Sequence, residues 1–379
     1  MAKKGKFQKQ KVKKPLGWKK IPLIFLAVIL VLGVGLSAFG IIYYNDLLGY
    51  VSRAERTEQE LSNAELEEIL GFVPETLPEN QEETQQETES PQPADSKYGK
   101  TGKIVNIMLV GQARRENEDS KLSDTMILVT VNKETKTIIL TSFLRDMYVQ
   151  LPNFKNHVCG MQRINVAYNL GWRWAGDLGG MEMLDQLILE NFGVEVDHNV
   201  EINFESFKSI IDLMGGVTLE LTQEEANYLN NGNAFGMTFV AGSNTLKGEA
   251  ALCYARMRKA SGSDSDFNRT ERQRKLITVL LKRCMKMSIS EIDSLLKTVL
   301  PMVLTDMTDE EITTLMVELL PLLPELTIES HRIPIDGSYY GDTVQIGGMD
   351  AAVLKVDVEA NREYLMGYCE DAPLSANAE

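Results

Sequence analysis

Five guanidinium groups fall within nineteen residues of one stretch, YARMRKASGSDSDFNRTERQRK: Arg256, Arg258, Arg269, Arg272 and Arg274, with Lys259 and Lys275 beside them. A guanidinium is a planar fork that meets phosphate oxygens two at a time, so this many forks in so short a span can grip a pyrophosphate. Arg269, Arg272 and Gln273 also lie near the start of a helix pattern, where unpaired N–H groups and the helix dipole favour an anion. The same arginines, set among Asp264, Asp266 and Glu271, would serve equally as a solvated ion-pair face. A second cluster favours the phosphate reading: Ser123-Asp124-Thr125 opens one predicted strand and Arg145-Asp146 closes the next. Carboxylates at strand ends beside arginines are what a divalent cation bridging phosphate oxygens needs. Without a ligand, Asp124 is a turn cap and Arg145–Asp146 a salt bridge.

Other chemistry finds no support. There is no GxSxG, no GxGxxG opening a helix, and the GKT at 99–101 lacks the upstream glycine that a P-loop needs. Cys159, Cys253, Cys284 and Cys369 are scattered without a CxxC and read as buried free thiols. His157, His198 and His331 lack ligand spacing, so no zinc site is expected.

The β-branched runs KIVNIMLVG (103–111), TMILVTVN (125–132) and TIILTSF (137–143) predict strands, the last two forming a hairpin across Lys133–Lys136. Met181, Leu184, Leu187 and Ile188 fall on one helix face, and Phe207, Ile210, Ile211 and Met214 on another. NVEINF (199–204) and VTLEL (217–221) read as short strands. A long helical stretch is expected from about Arg269 to Leu320, with capping boxes at Ser288/Glu291 and Thr308/Glu311. LTIESHRIP (326–334) predicts a strand and VEANREYLMGYC (358–369) a last helix. This alternation predicts an α/β class: a three-layer α/β/α domain with a mixed central sheet, preceded by one transmembrane helix.

The 379 residues carry a formal charge of −15, spread unevenly. Residues 1–20 hold nine lysines and no acid, a cytoplasmic basic tail. Residues 21–44, IPLIFLAVILVLGVGLSAFGIIYY, carry no charge, and as a helix reach about 36 Å, more than the roughly 30 Å hydrocarbon core. A cleaved signal peptide would have a shorter apolar region and a small-residue cleavage site, so an uncleaved anchor is expected, its N-terminus held inside by the lysines. Residues 45–97, acidic and rich in Gln, Thr and Pro, predict an extracellular stalk, with Glu55–Leu70 suited to a short charged helix. Residues 98–379 remain for an extracellular domain at the cell membrane. Its net −13 argues against nucleic-acid binding, which depends on clustered cations neutralising phosphates.

NIMLVGQARR, LSDTMILVTVNKETKTIILTSFLRDMYVQLP, QRINVAYNLG, DLMGGV, AGSNTLKGEAALCYARMR and DFNRTERQRK follow in this order. Together they resemble the LytR–CpsA–Psr family of Gram-positive cell envelope enzymes over roughly 103–285, with a weaker tail to about 370. The resemblance implies transfer of a phosphoglycan, such as a teichoic acid or capsule-like polymer, from a polyprenyl-pyrophosphate carrier to peptidoglycan. It implies that Arg145, Arg256, Arg258, Arg269 and Gln273 hold the pyrophosphate with Asp266 orienting the arginines, that Arg163 and Asn165 line the same pocket, and that Asp124 helps to hold Mg²⁺ or Mn²⁺. Asp124 or Asp146 would take the proton of the attacking hydroxyl. Leu, Ile and Met residues between 276 and 323 would offer a trough for the polyprenyl tail, although ordinary helix packing accounts for them as well. Where the family usually has Gly-x-Asp-x-Arg, this chain has Gly111-Gln112-Ala113-Arg114-Arg115, so a second carboxylate is missing unless Glu116, Glu118 or Asp119 replaces it. A protein that binds or hydrolyses lipid-linked glycans without transferring them is therefore the alternative. Lys121 stands near where an arginine is common, and its single ammonium cannot make the two-pronged contact. Relatives are often labelled transcriptional regulators, but some twenty residues inside the cell are too few for a DNA-binding fold.

Overall fold

A computed structural model of the chain describes residues 49, 51–76, 102–112, 122–154, 157–231, 235–258 and 266–370. The expected basic tail, the transmembrane helix of 21–44, Ala113 and Lys121 lie outside the described residues. Among the described residues no helix is long and apolar enough to cross a membrane. One unit runs from Tyr50 onward and holds everything that follows.

Its first part contains β1 (Ser52–Arg53), α1 (Asn63–Leu70), β2 (Ile104–Gln112), β3 (Ser123–Asn132), β4 (Thr137–Phe143), β5 (Met147–Gln150), β6 (Met161–Arg163) and α2 (Val166–Phe192). Then come β7 (His198–Asn203), α3 (Phe204–Leu213), β8 (Val217–Leu221), α4 (Gln223–Asn230), β9 (Gly242–Leu246), α5 (Gly248–Arg256) and α6 (Asp266–Cys284). The last part contains α7 (Ile289–Val299), β10 (Leu304–Thr305), α8 (Asp309–Leu319), β11 (Thr327–Ile333), β12 (Tyr339–Ile346), β13 (Met349–Val356) and α9 (Val358–Cys369).

Seven strands form one mixed sheet in the order β1-β10-β7-β2-β3-β4-β11. β7 runs parallel to β2 and β11 parallel to β4, while β3 is antiparallel to both of its neighbours. Alternation along the central strands loads both faces. Met108, Val110, Met126 and Leu128 pack with Leu184, Leu187 and Ile188 of α2 and with Leu365 of α9. Ile127, Ile138 and Leu140 point the other way, against Ile277 and Leu281 of α6 and Leu319 of α8. The mixed sheet covered on both faces is the expected architecture. A satellite core under β8 and β9 joins α3, α4, α5 and part of α6. All four cysteines are free thiols, and burial pushes the Cys159 thiol up to about 12.

Three expectations change. The helical stretch from 269 to 320 is broken at Met287–Ser288 and again around Pro301, where Leu304–Thr305 leaves the helix to pair with β7. The hairpin β12–β13, turning at Gly347-Gly348, was not anticipated. The third change is the boundary at residue 98. β1 pairs with β10, Ala54 N donates to the Thr305 carbonyl at 2.8 Å, and α1 buries Leu66 and Leu70 in the main core. The short helix expected within Glu55–Leu70 forms over Asn63–Leu70 with a full capping box, Ser62 and Glu65, but it packs into the core rather than standing in solvent. Residues 51–76 are thus a strap across the domain rather than a stalk.

The strap lies on a break in α2. Ala175 (φ −143°, ψ 27°) and Gly176 (φ 69°, ψ −160°) leave helical geometry, and the strap bonds the groups so released. Thr57 N donates to Ala175 O at 3.2 Å, Gln59 N to Trp174 O at 2.8 Å, and Leu178 N to Glu55 O at 3.2 Å. A Cβ on Gly171 would meet the Gly179 carbonyl at 2.0 Å, so the chain can fold back on itself here only with glycine.

Candidate active site

The parallel strands β2, β4, β7 and β11 end on one side of the sheet, where ligands of open α/β sheets commonly bind. Because β3 is reversed, its first residues reach that same side: the register Ile127↔Ser142 brings Asp124 beside the chain leaving β4 at Arg145. Gly111 permits this approach, since a Cβ there would meet the Thr125 Cβ at 2.8 Å.

Arg145 is the hub. Its Nη1 donates to Asp124 Oδ1 at 2.6 Å, and its Nε lies 3.5 Å from Asp146 Oδ1 and 3.8 Å from Asp266 Oδ1. Burial weakens the charge on Arg145, but the bond to Asp124 and the charges of Asp146, Asp124 and Asp266 outweigh it and hold its pKa above the ordinary arginine value. Arg269, on the first turn of α6, pairs with Asp266 at 2.7 Å and donates to the Asp124 backbone carbonyl at 3.0 Å. Arg163, ending β6, reaches Asp146 at 3.9 Å. Asn165 accepts a bond from Ser123 N at 3.3 Å, which ties the start of α2 to the residue before Asp124.

Burial raises the Asp266 carboxyl against the pull of Arg269 and Arg145, and burial lowers Arg269 against the pull of Asp266. Both partners move toward neutrality, so desolvation exceeds what the pair returns. Arg145, Arg163 and Arg269 each retain a buried Nε without a hydrogen bond. A ligand carrying several acceptor oxygens, as a phosphate does, would satisfy these donors.

The remaining predicted residues divide. Arg258 is exposed, and its charge acts on Asp266 and Arg269. Arg256 is exposed at the end of α5, stacked 4.5 Å over the Phe204 ring that follows β7. Gln273 holds the Ala255 carbonyl at 3.4 Å, one residue before Arg256. Arg272 does not join the cluster: it is buried against Glu225 at 2.9 Å and the Met257 carbonyl at 2.9 Å, so its fork is used in packing α6 on the satellite core. Arg274 bonds Ser330 of β11 at 2.7 Å, and burial lowers it to about 10.

Among the described residues no group of three acids, histidines or cysteines suits a metal ion. Mg²⁺ needs only one or two carboxylates when phosphate oxygens and waters complete its shell. Asp124 keeps one carboxylate oxygen apart from the 2.6 Å bond to Arg145, so the donor set fits a cation that arrives with a phosphate.

The β12–β13 hairpin also positions the site. β13 runs beside β5, Leu354 N donates to the Asp146 carbonyl at 2.8 Å, and Phe267 lies between Tyr339 at 5.0 Å and the Arg332 guanidinium at 4.7 Å. Its legible signal was the Gly-Gly turn between two alternating runs.

The chain is 33% identical over 243 residues to the polyisoprenyl-teichoic acid–peptidoglycan teichoic acid transferase TagU of Oceanobacillus iheyensis, a stretch that is 62% of this chain and 70% of that protein. In the next two relatives the matched stretch is 51% of their length. The fold is similar to that of TagT bound to LIIa-WTA, with a TM-score of 0.54 and 21% identity over 75% of this chain and 96% of that one. It is also similar to YwtF (TagT) with bound octaprenyl pyrophosphate lipid, with a TM-score of 0.50 and 19% identity over 70% and 90%. The LytR_cpsA_psr family model matches residues 73–360, taking in every strand end and helix that builds the ionic cluster, and the chain belongs to that family.

Proposed function

We propose that this protein is a membrane-anchored phosphotransferase that moves a phosphoglycan from polyprenyl pyrophosphate to peptidoglycan on the outer side of the cell membrane. The observation that carries the reading is the convergence of Asp124, Arg145, Asp146, Arg163, Asp266 and Arg269 at the carboxyl ends of the parallel strands. The relatives named as teichoic acid transferases and the lipid-bound neighbour supply the substrate class. The anchor is the uncharged segment 21–44, with the lysine-rich tail inside.

In this reading Arg145, Arg163 and Arg269 face the pyrophosphate oxygens, Arg258 and Arg256 extend the positive field outward, and Asp266 holds Arg269 in place. Gln273 steadies the end of α5, and Asn165 the loop that carries Asp124. A peptidoglycan hydroxyl attacks the phosphorus on the glycan side, its oxygen–phosphorus bond forms as the bond to the bridging oxygen breaks, and polyprenyl phosphate leaves with that oxygen. Asp146 accepts the hydroxyl proton, because its pairs with Arg145 at 3.5 Å and Arg163 at 3.9 Å are looser than the 2.6 Å bond between Arg145 and Asp124. Asp124 is the residue that would hold Mg²⁺ or Mn²⁺, whose contribution when bound is to offset charge on the phosphate oxygens. The arginines supply the rest of that compensation from fixed positions, without solvent reorganisation.

The test is transfer by the purified full-length chain from a polyprenyl-pyrophosphate glycan to peptidoglycan. Asp124→Ala and Arg145→Ala should each lower turnover by about 10²–10³, the usual cost of one lost electrostatic contact in a transition state. Unchanged turnover in both variants would overturn the assignment. Release of polyprenyl phosphate without any wall-linked product would instead establish the hydrolytic alternative.

A further inference from the structure

Outside the ionic cluster, Arg274 of α6 is a buried guanidinium, 7% exposed, with no ion-pair partner among the described residues. Its Nε donates to Ser330 Oγ at 2.7 Å, but its Nη1 is buried without a hydrogen bond. The charge of Glu271, exposed one turn back, favours the guanidinium, and the charge of Arg332 opposes it. A charge taken out of water without a partner is costly, and an anion that arrives from outside removes that cost.

A second unsatisfied group lies in the same layer between α6 and the sheet. Ile138, Leu140 and Ser142 alternate toward α6 along β4, and the register sets Ser330 opposite Leu140 and Arg332 opposite Ser142. Ser142 is 1% exposed, yet its Oγ has no hydrogen-bond partner. Ser330 accepts from Arg274 and keeps its own hydroxyl proton to donate. A guanidinium edge and two hydroxyls are donors that match phosphate oxygens. Ser330 is exposed on the edge strand β11, so the layer opens to solvent beside Arg274.

Charge and position connect this place to the reaction. In the ionic cluster Arg145, Arg163 and Arg269 stand against Asp124, Asp146 and Asp266, whereas Arg274 stands against no paired acid. A terminal phosphate carries about 1.5–2 negative charges at neutral pH and gains most from the uncompensated cation. Arg274 is five residues beyond Arg269 on α6, a rise of about 7.5 Å. Ile277 and Leu281 continue its face of the helix at i+3 and i+7, and both are only partly buried.

We infer that Arg274, Ser142 and Ser330 form a second phosphate site, separate from the ionic cluster, that takes a terminal phosphate group. The inference rests on the transferase reading above for its role: the group taken there is the phosphate of the leaving polyprenyl phosphate, drawn off the ionic cluster once the bond to the bridging oxygen has broken.

The probes are farnesyl phosphate and inorganic phosphate, each titrated by calorimetry into the purified full-length chain and into Arg274→Met, which keeps most of the side-chain bulk and removes the charge. Farnesyl phosphate should bind the parent and lose at least tenfold in affinity in Arg274→Met, with part of the loss recovered in Arg274→Lys. Ser142→Ala, a small deletion that leaves the packing in place, should lose several-fold and keeps the test decisive if Arg274→Met is unstable. A loss shared by inorganic phosphate assigns the site to the free anion, and a loss confined to farnesyl phosphate assigns it to the lipid product; either result sustains the site. Inhibition of transfer by added farnesyl phosphate should weaken by the same factor in Arg274→Met while KM for the pyrophosphate donor holds. Affinities for both probes that are unchanged in Arg274→Met and Ser142→Ala would overturn the site. Absence of transfer by the parent chain would overturn the transferase reading alone, since the titrations decide the phosphate site without turnover.

Discussion

At the scale of single residues, the arginines of one sequence cluster have opposite fates. Arg269 and Arg272 are three positions apart on α6, yet Arg269 turns toward Asp266 and Asp124 while Arg272 turns toward Glu225. Arg269→Lys should keep the melting temperature near that of the parent and lower transfer at least tenfold, because an ammonium cannot reproduce the fork. Arg272→Ala should do the reverse, costing about 3–5 kcal/mol of stability by leaving the Glu225 carboxylate buried and unpaired. Thermal melts beside transfer assays check both expectations. A result in which Arg272→Ala melts normally and loses only turnover would return Arg272 to the phosphate site. The types of these residues were legible in advance, whereas the direction of each side chain was not.

At the scale of elements, α2 joins the site to the strap and carries a buried acid. Burial lifts the Asp185 carboxyl well above the usual range, Asn199 opposes this with a 2.7 Å bond, and Asp306, Glu182 and Asp197 add to it. The folded-state pKa exceeds the unfolded one, so the folded protein binds the extra proton. This contribution to stability is complete below the ordinary carboxylate range and is lost as pH rises through the raised value. Asp185→Asn should therefore gain on the parent as pH rises from about 4, by up to about 1.4 kcal/mol per pH unit, as read by denaturant melts at several pH values. Parallel curves for the two proteins would exclude a protonated Asp185. Regular elements such as β3, β4, β8 and α9 could be read from periodicity, since each buries one face or lies wholly between layers. The break at Ala175–Gly176 could not, because it is stabilised by a segment more than a hundred residues away in sequence.

At the scale of the whole molecule, the domain begins earlier than its composition suggests. Leu61, Leu66 and Leu70 are buried in the main core, and roughly 2 kcal/mol attaches to each such side chain. A chain begun at residue 98 should melt well below one begun at residue 51, or fail to fold, because it loses these contacts together with the bonds that close α2 and the pairing of β1. Calorimetry of the two fragments checks this. Equal melting temperatures would mean that the strap is an appendage.

Local chemistry in the chain was sufficient to define the strand that opens at Asp124, the strand that ends just before Arg145, and the layering of helices on a sheet, because residue type, alternation and capping act over a few positions, whereas the class of ligand needed the ordered family motifs as well. Tertiary structure alone decided which arginines join the ionic cluster at the strand ends and that the acidic strap belongs to the domain. Those outcomes depend on contacts between segments far apart in sequence, where burial and charge pairing outweigh the local composition that suggested a solvated face and a stalk.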